Sequence, residues 1–290
     1  MTALRQRMIE DMQLRGLAPL TQRAYLRAVR ELARYYHKSP DQISEEELRQ
    51  YFLYLHHHKH LARSTTTVII SGLKFFFEHT LRTPWPSLDL FRPRPTHTLP
   101  IVLSVDEVWR ILAQVREPAY RVCLSTIYTC GLRLHEGASL QVSQIDSARM
   151  QLHIRGGKGN KDRAIPLPPR TLLLLRAHWL THRNPIWLFP AAERAGLHPH
   201  TAATPISDRS VQRAFAAALA ATGVSKSATV HTLRHSWATQ LLEAGVSLRI
   251  IQVWLGHRSP NTTALYTHLT HKVEQLANDA LEQLSAGMPW

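Results

Sequence analysis

Cysteine is scarce in this chain. Only Cys123 and Cys130 occur, both in the apolar stretch YRVCLSTIYTCGL, and two cysteines cannot make the disulfide framework that staples small secreted domains. On one helix they would lie about two turns apart along the same face, too far to bridge. They therefore read as buried free thiols of a reducing compartment. Long apolar runs are missing as well: none approaches the roughly eighteen residues of a membrane span. The start, MTALRQRMIEDMQ, has charges where a signal peptide has an apolar core. Metal-ligand spacing is absent too. The run HHHKH at 56–60 places neighbouring side chains in different directions on a helix, which argues against a chelate there. The expectation is a cytoplasmic protein with no membrane segment, no metal and no cofactor.

Acidic residues are also in deficit. The 21 Asp and Glu face 35 Lys and Arg, for a net charge of +14, and the excess is found on both sides of residue 100. So strong a basic balance points to a polyanionic partner, of which nucleic acid is the commonest. With 44% hydrophobic residues the chain has the material for packed cores. Its 290 residues suffice for two domains.

The segment LRTPWPSLDLFRPRPTHTLP at 81–100 interrupts any helix with its prolines. The expected layout is a helical domain over 1–82, a proline-rich linker over 83–100 and a second domain over 101–290. In the first domain Thr21 is expected to cap a helix over QRAYLRAVRELARYY. Ser44 and Glu47 form a capping box ahead of LRQYFLYL, and a fourth helix covers TTTVIISGLKFFFEHT. Tyr25, Val29, Leu32 and Tyr36 make one stripe of the second helix. Arg23, Arg27, Arg30 and Arg34 repeat that spacing on the opposite side. With no acids expected between them, those arginines read as contacts to a phosphate backbone.

The second domain begins with another capping box, Ser104 with Glu107, and a long apolar helix that stops at Gly131. QVSQID, MQLHIRG and DRAIPLP read as three short strands, partly joined by the turn GGKGNKD. Helices dominate after residue 168, and the stretch 184–208 is an irregular connector. The fold class is therefore mainly α, with a small three-stranded antiparallel sheet in the second domain.

Polar residues stand at the ends of these elements, where a rigid frame presents functional groups. Arg133 follows the Gly131 helix stop, Lys158 sits at the tip of RGGKGNKDR, and His231 and Arg234 open one helix in TVHTLRHSWATQ. His257 follows the Gly256 stop in WLGHRS, and Tyr266 lies in SPNTTALYTHL. Two arginines and two histidines can hold the non-bridging oxygens of a phosphodiester and the charge that grows on its transition state. A tyrosine hydroxyl can serve as nucleophile once aligned, and a lysine can protonate the departing oxygen. His235 reads as a supporting residue beside this set. Glu136 is either an orienting partner of Arg133 or a surface ion pair. Tyr25, Tyr36 and Tyr128 look like packing residues.

The motifs GLRLHE around Arg133, GKGNKDR around Lys158, HTLRHSWATQLLEAG and LGHRSPNTTALYTH, in that order, resemble the tyrosine recombinase (phage integrase) family over roughly 100–275. The resemblance implies catalytic roles for Arg133, Lys158, His231, Arg234, His257 and Tyr266. It also implies a core-binding domain at the N-terminus of the SAM-like type. Implied with these are strand exchange through a 3′-phosphotyrosyl link and a Holliday junction, on double-stranded DNA with inverted-repeat core sites, by a synaptic tetramer that could use accessory proteins. The C-terminal HKVEQLANDALEQL would be its oligomerisation helix, and the setting the bacterial nucleoid. The layout resembles Xer-type resolvases and compact mobile-element integrases. A type IB topoisomerase would share the chemistry but not these spacings. An architectural DNA-binding protein would explain the charge but not the six residues.

Overall fold

The computed structural model describes residues 2–59, 61–85, 100–156, 162–191 and 198–256. Lys158, His257, Tyr266, most of the expected linker and the expected C-terminal oligomerisation helix lie outside them. The chain divides into two compact units, Met1–His97 and Thr98–Trp290, each with its own core.

In the first unit the described helices are α1 (Ala3–Leu14), α2 (Pro19–Tyr36), α3 (Glu45–His57) and α4 (Arg63–Phe75), which runs on into a π-helical turn at Phe76–Leu81. The predicted stripe of α2 packs inward. Val29 and Leu32 are buried, while Tyr25 and Tyr36 are partly buried against the same core. The Tyr36 hydroxyl donates to the Glu47 carbonyl at 2.6 Å. The Ser44–Glu47 box forms at the start of α3. Thr21, in contrast, does not cap α2. The helix begins two residues earlier at Pro19, whose fixed φ suits a first helical position where its missing N–H is not needed.

The second unit has α5 (Val105–Ala113), opened by the Ser104–Glu107 box, then α6 (Pro118–Thr129) and α7 (Leu134–Ala138). The strands β1 (Ile145–Asp146), β2 (Gln151–Ile154) and β3 (Arg163–Pro166) form an antiparallel sheet in that order. Leu152 pairs with Ile165, both buried, and Ile154 pairs with Arg163 at the last rung before the hairpin tip. Helices α8 (Pro169–His182), α9 (Asp208–Thr222), α10 (Val230–Glu243) and α11 (Leu248–Leu255) complete the described part. The fold is thus mostly helical with one small sheet.

Both cysteines are free and buried among apolar side chains, and burial pushes the Cys130 thiol up to about 12. The connector after α8 is organised by Asn184. Its buried amide donates to the carbonyls of Pro199, His200 and Ala202 and accepts from the N–H groups of Ile186 and Trp187. A loop whose backbone groups find such partners can lie against the core without unpaired polar atoms. Among the described residues no helix is long and apolar enough to cross a membrane.

Candidate active site

The site grows from the end of α6. Gly131 takes a left-handed φ of 59°, and a Cβ there would come within 2.4 Å of the Trp237 ring. Only glycine meets both demands. Trp237 belongs to α10 and is held by a bond from its Nε1 to the Thr129 carbonyl at 3.2 Å. The chain therefore turns tightly against α10 and delivers Arg133 to the start of α7.

Arg133 and Glu136 close on each other across the first turn of α7. The backbone N–H of Arg133 donates to Glu136 Oε2 and its Nη1 to Glu136 Oε1, both at 2.8 Å. Arg163, at the head of β3, reaches the same carboxylate with a two-pronged fork of 2.9 and 2.7 Å. Arg234 Nη1 lies 3.9 Å from Glu136 Oε2. Three guanidinium groups therefore surround one carboxylate, which is a buried hub and not a surface ion pair. Burial alone would raise the Glu136 pKa. The hydrogen bonds and charge of Arg163, with the bonds from Arg133, override it and hold the group at about 2.

Arg234 does not point outward beside His231. Its side chain is only 2% exposed. It donates to the carbonyls of Gly131 at 2.7 Å and Leu255 at 2.5 Å. Those oxygens sit just past α6 and at the last residue of α11, where helices leave carbonyls unpaired and their dipoles present negative charge. A guanidinium placed there joins two helix ends. His231, one turn earlier on α10, is exposed, and its ring meets that of His235 edge to face at 4.6 Å. Partial desolvation and the positive charges of Arg234 and Arg133 lower the His231 pKa. Desolvation, then His231 and Arg234, lowers His235 to about 4. Both rings are therefore neutral at pH 7.

Of the residues expected together from sequence, Arg133 and Arg234 meet around Glu136, and His231 lies near enough to both for their charges to act on it. Lys158, His257 and Tyr266 fall outside the described residues, whereas the strands on either side of the Lys158 turn and the residue before His257 lie within them. The hairpin base is closed by Ile154 opposite Arg163 and by the Gly156 N–H donating to Asp162 at 2.9 Å. Gly256, the residue before His257, ends α11 with a φ of 63°. Arg163 was not foreseen. In the sequence it is simply the polar residue that heads an apolar strand, and nothing in its spacing points to Glu136. Tyr128 is excluded as a nucleophile, since its hydroxyl is committed to Gln240 at 2.5 Å.

In the first unit Arg23, Arg27, Arg30 and Arg34 are all exposed on α2. The stripe is not free of acids, however. Glu31 lies within it, 3.4 Å from Arg30 and 3.5 Å from Arg34. Arg23, Arg27 and Arg34, but not Arg30, line an open groove of about 900 Å³ with Lys59 and the rings of Tyr51 and Tyr54.

Residues 102–272 match the phage integrase family, and residues 4–87 match the N-terminal SAM-like domain of phage integrases. The protein y4qK of Sinorhizobium fredii, which carries the name integrase/recombinase, is 44% identical over 275 residues, covering 94% of this chain and 87% of that protein. Tyrosine recombinase XerC of Chlamydia trachomatis is 32% identical over 245 residues, covering 82% of this chain and 76% of its own. The fold is shared with a lambda integrase tetramer bound to a Holliday junction. The TM-score is 0.71 at 20% identity, over 91% of this chain and 76% of that one. The chain belongs to the phage integrase family and is a tyrosine-type site-specific DNA recombinase.

Proposed function

We propose that Arg133, Lys158, His231, Arg234, His257 and Tyr266 carry the strand exchange on double-stranded DNA. The observation behind this reading is the charge at Glu136. Three arginines meet one carboxylate, so a fixed excess of positive charge remains where Arg133 and His231 reach solvent. A phosphodiester is the natural complement of such a site. The Tyr266 oxygen attacks the scissile phosphorus, a P–O bond to tyrosine forms, and the bond to the 5′ oxygen breaks. Lys158 supplies the proton to that oxygen. His231, neutral at pH 7, can accept the tyrosine proton. The 5′-hydroxyl of a partner strand reverses the step, so the energy of the broken bond is kept in the phosphotyrosyl link and no nucleotide is consumed.

Assembly into a synaptic tetramer on inverted-repeat core sites, through a Holliday junction, is proposed with these roles, and the lambda integrase tetramer bound to a Holliday junction supports the tetramer and the junction. Because it works on DNA, the protein is proposed to act in the cytoplasm, at the nucleoid. The reading is tested by footprinting the protein on DNA that flanks its gene, then offering the bound site as a nicked duplex that loses its 5′ fragment after cleavage. A covalent protein–DNA band on a denaturing gel is the expected result. A site that is bound but never yields an adduct would sink the proposal.

The arginine stripe of α2 is proposed to grip the phosphate backbone. Glu31 already partly neutralises Arg30 and Arg34, so their share is expected to be smaller than that of Arg23 and Arg27. Arg23→Ala and Arg27→Ala should each lower the slope of log affinity against log salt by about one unit and leave the cleavage rate of bound DNA unchanged. If the quadruple alanine variant keeps the wild-type slope, the stripe is a solvated face.

A further inference from the structure

We infer that Arg163 is a positioning residue for recombination: it fixes Glu136, and through it Arg133, against the turn that precedes His257. The inference rests on the proposed role of Arg133.

Arg163 cannot touch the substrate, because its side chain is only 7% exposed. What it does is close a ring of hydrogen bonds across three elements. Arg133 Nη1 meets Glu136 Oε1 at 2.8 Å, and Glu136 Oε2 meets Arg163 Nη2 at 2.7 Å. Arg163 Nε meets the Trp254 carbonyl at 2.7 Å, and two residues on, the Gly256 carbonyl accepts from Arg133 Nη2 at 3.4 Å. The start of α7, the head of β3 and the end of α11 are thereby locked at fixed separations. The fit under the turn is close: a Cβ on Gly256 would lie 3.0 Å from Arg163 Cδ.

Stability alone does not call for this arrangement. A buried ion pair loses much of its Coulomb gain to desolvation, and a well-packed apolar pair often does as well or better. Here one carboxylate carries the fork of Arg163 and one guanidinium nitrogen of Arg133, with the Arg234 guanidinium beside it, which is more positive charge than pairing requires. The geometry uses three directed donors of one planar group, two toward Glu136 and one toward Trp254. Lysine, a point charge on a flexible stem, cannot supply them. The Arg133 guanidinium is then held where a phosphate arrives, with no reorganisation needed on binding.

Arg163→Lys in the full chain, on the nicked duplex of the bound core site, tests this. Affinity and melting temperature should stay near wild type. The single-turnover cleavage rate at saturating protein should fall roughly 10²-fold, as a misplacement of about 1 Å does. The loss should persist on a substrate with a 5′-bridging phosphorothiolate, whose sulfur leaves without a proton, whereas Lys158→Ala should recover there. Combined with Glu136→Gln, it should be no slower than the slower single variant. A wild-type rate, additive losses, or recovery on the phosphorothiolate would each overturn the inference. If Arg163→Lys does not fold, Glu136→Gln with Arg163→Met removes both buried charges together; it should fold and cleave slowly, and wild-type cleavage by it would count against the role. An adduct that survives in Tyr266→Phe would indict the proposed chemistry instead, and not Arg163.

Discussion

Replacing Tyr266 with phenylalanine is expected to leave DNA binding intact and to abolish the covalent protein–DNA adduct completely. The substitution removes one oxygen and keeps the ring. Loss of an activating partner would slow the reaction, whereas loss of the nucleophilic atom leaves no bond to form. Binding survives because affinity for DNA comes from many phosphate contacts spread over the chain. The other tyrosines are poor substitutes. Tyr36 and Tyr128 spend their hydroxyls on Glu47 and Gln240, and Tyr51 is buried, with desolvation first among the causes that push it up to about 12. The measurement is capture on nicked duplex, resolved on a denaturing gel, with retention on intact duplex as the binding control. A covalent band in the variant would remove Tyr266 from the mechanism and reopen the choice of nucleophile.

Of the fold and the candidate site, the parts that depend on local signals were legible in the sequence. Capping boxes at Ser44–Glu47 and Ser104–Glu107 are four-residue signals, and both form. The i, i+3 spacing of His231 and Arg234 correctly placed both on one helix. It could not show that Arg234 turns inward to two helix ends while His231 stays at the surface, because those carbonyls come from residues far away in the chain. Thr21 was overruled by a competing local signal, Pro19, which starts the helix earlier. Glu31 was passed over as one acid in a row of arginines, yet on the helix it falls between two of them. Arg163 had no local signal at all. Its meaning lies in Glu136 and Trp254, 27 and 91 residues away, and only the fold brings those together.

Glu136 is expected to show the largest single effect on stability in the second unit. Glu136→Ala leaves Arg133, Arg163 and Arg234 facing one another without their shared acceptor, and breaking a buried pair in this way costs about 3–5 kcal/mol. Cleavage should fall by at least roughly 10²-fold as well, since Arg133 loses the group that aims it. The same charge predicts a pH dependence of definite sign. In the folded protein the carboxyl is held at about 2, below its ordinary 4.5. A carboxyl depressed by folding contributes stability that is fully present above the unfolded value and is lost as protons bind in the folded state. The contribution, about 3 kcal/mol, should therefore be constant near pH 7 and disappear between pH 4.5 and 2. Other carboxylates titrate over the same range, so the informative quantity is a difference. Denaturation of wild type and Glu136→Gln by urea at pH 7 and at pH 3 should show a gap that narrows on acidification, because the neutral amide has already forfeited the charge. If the gap between the two proteins is equally wide at both values, the three arginines are balanced by something other than the Glu136 carboxylate.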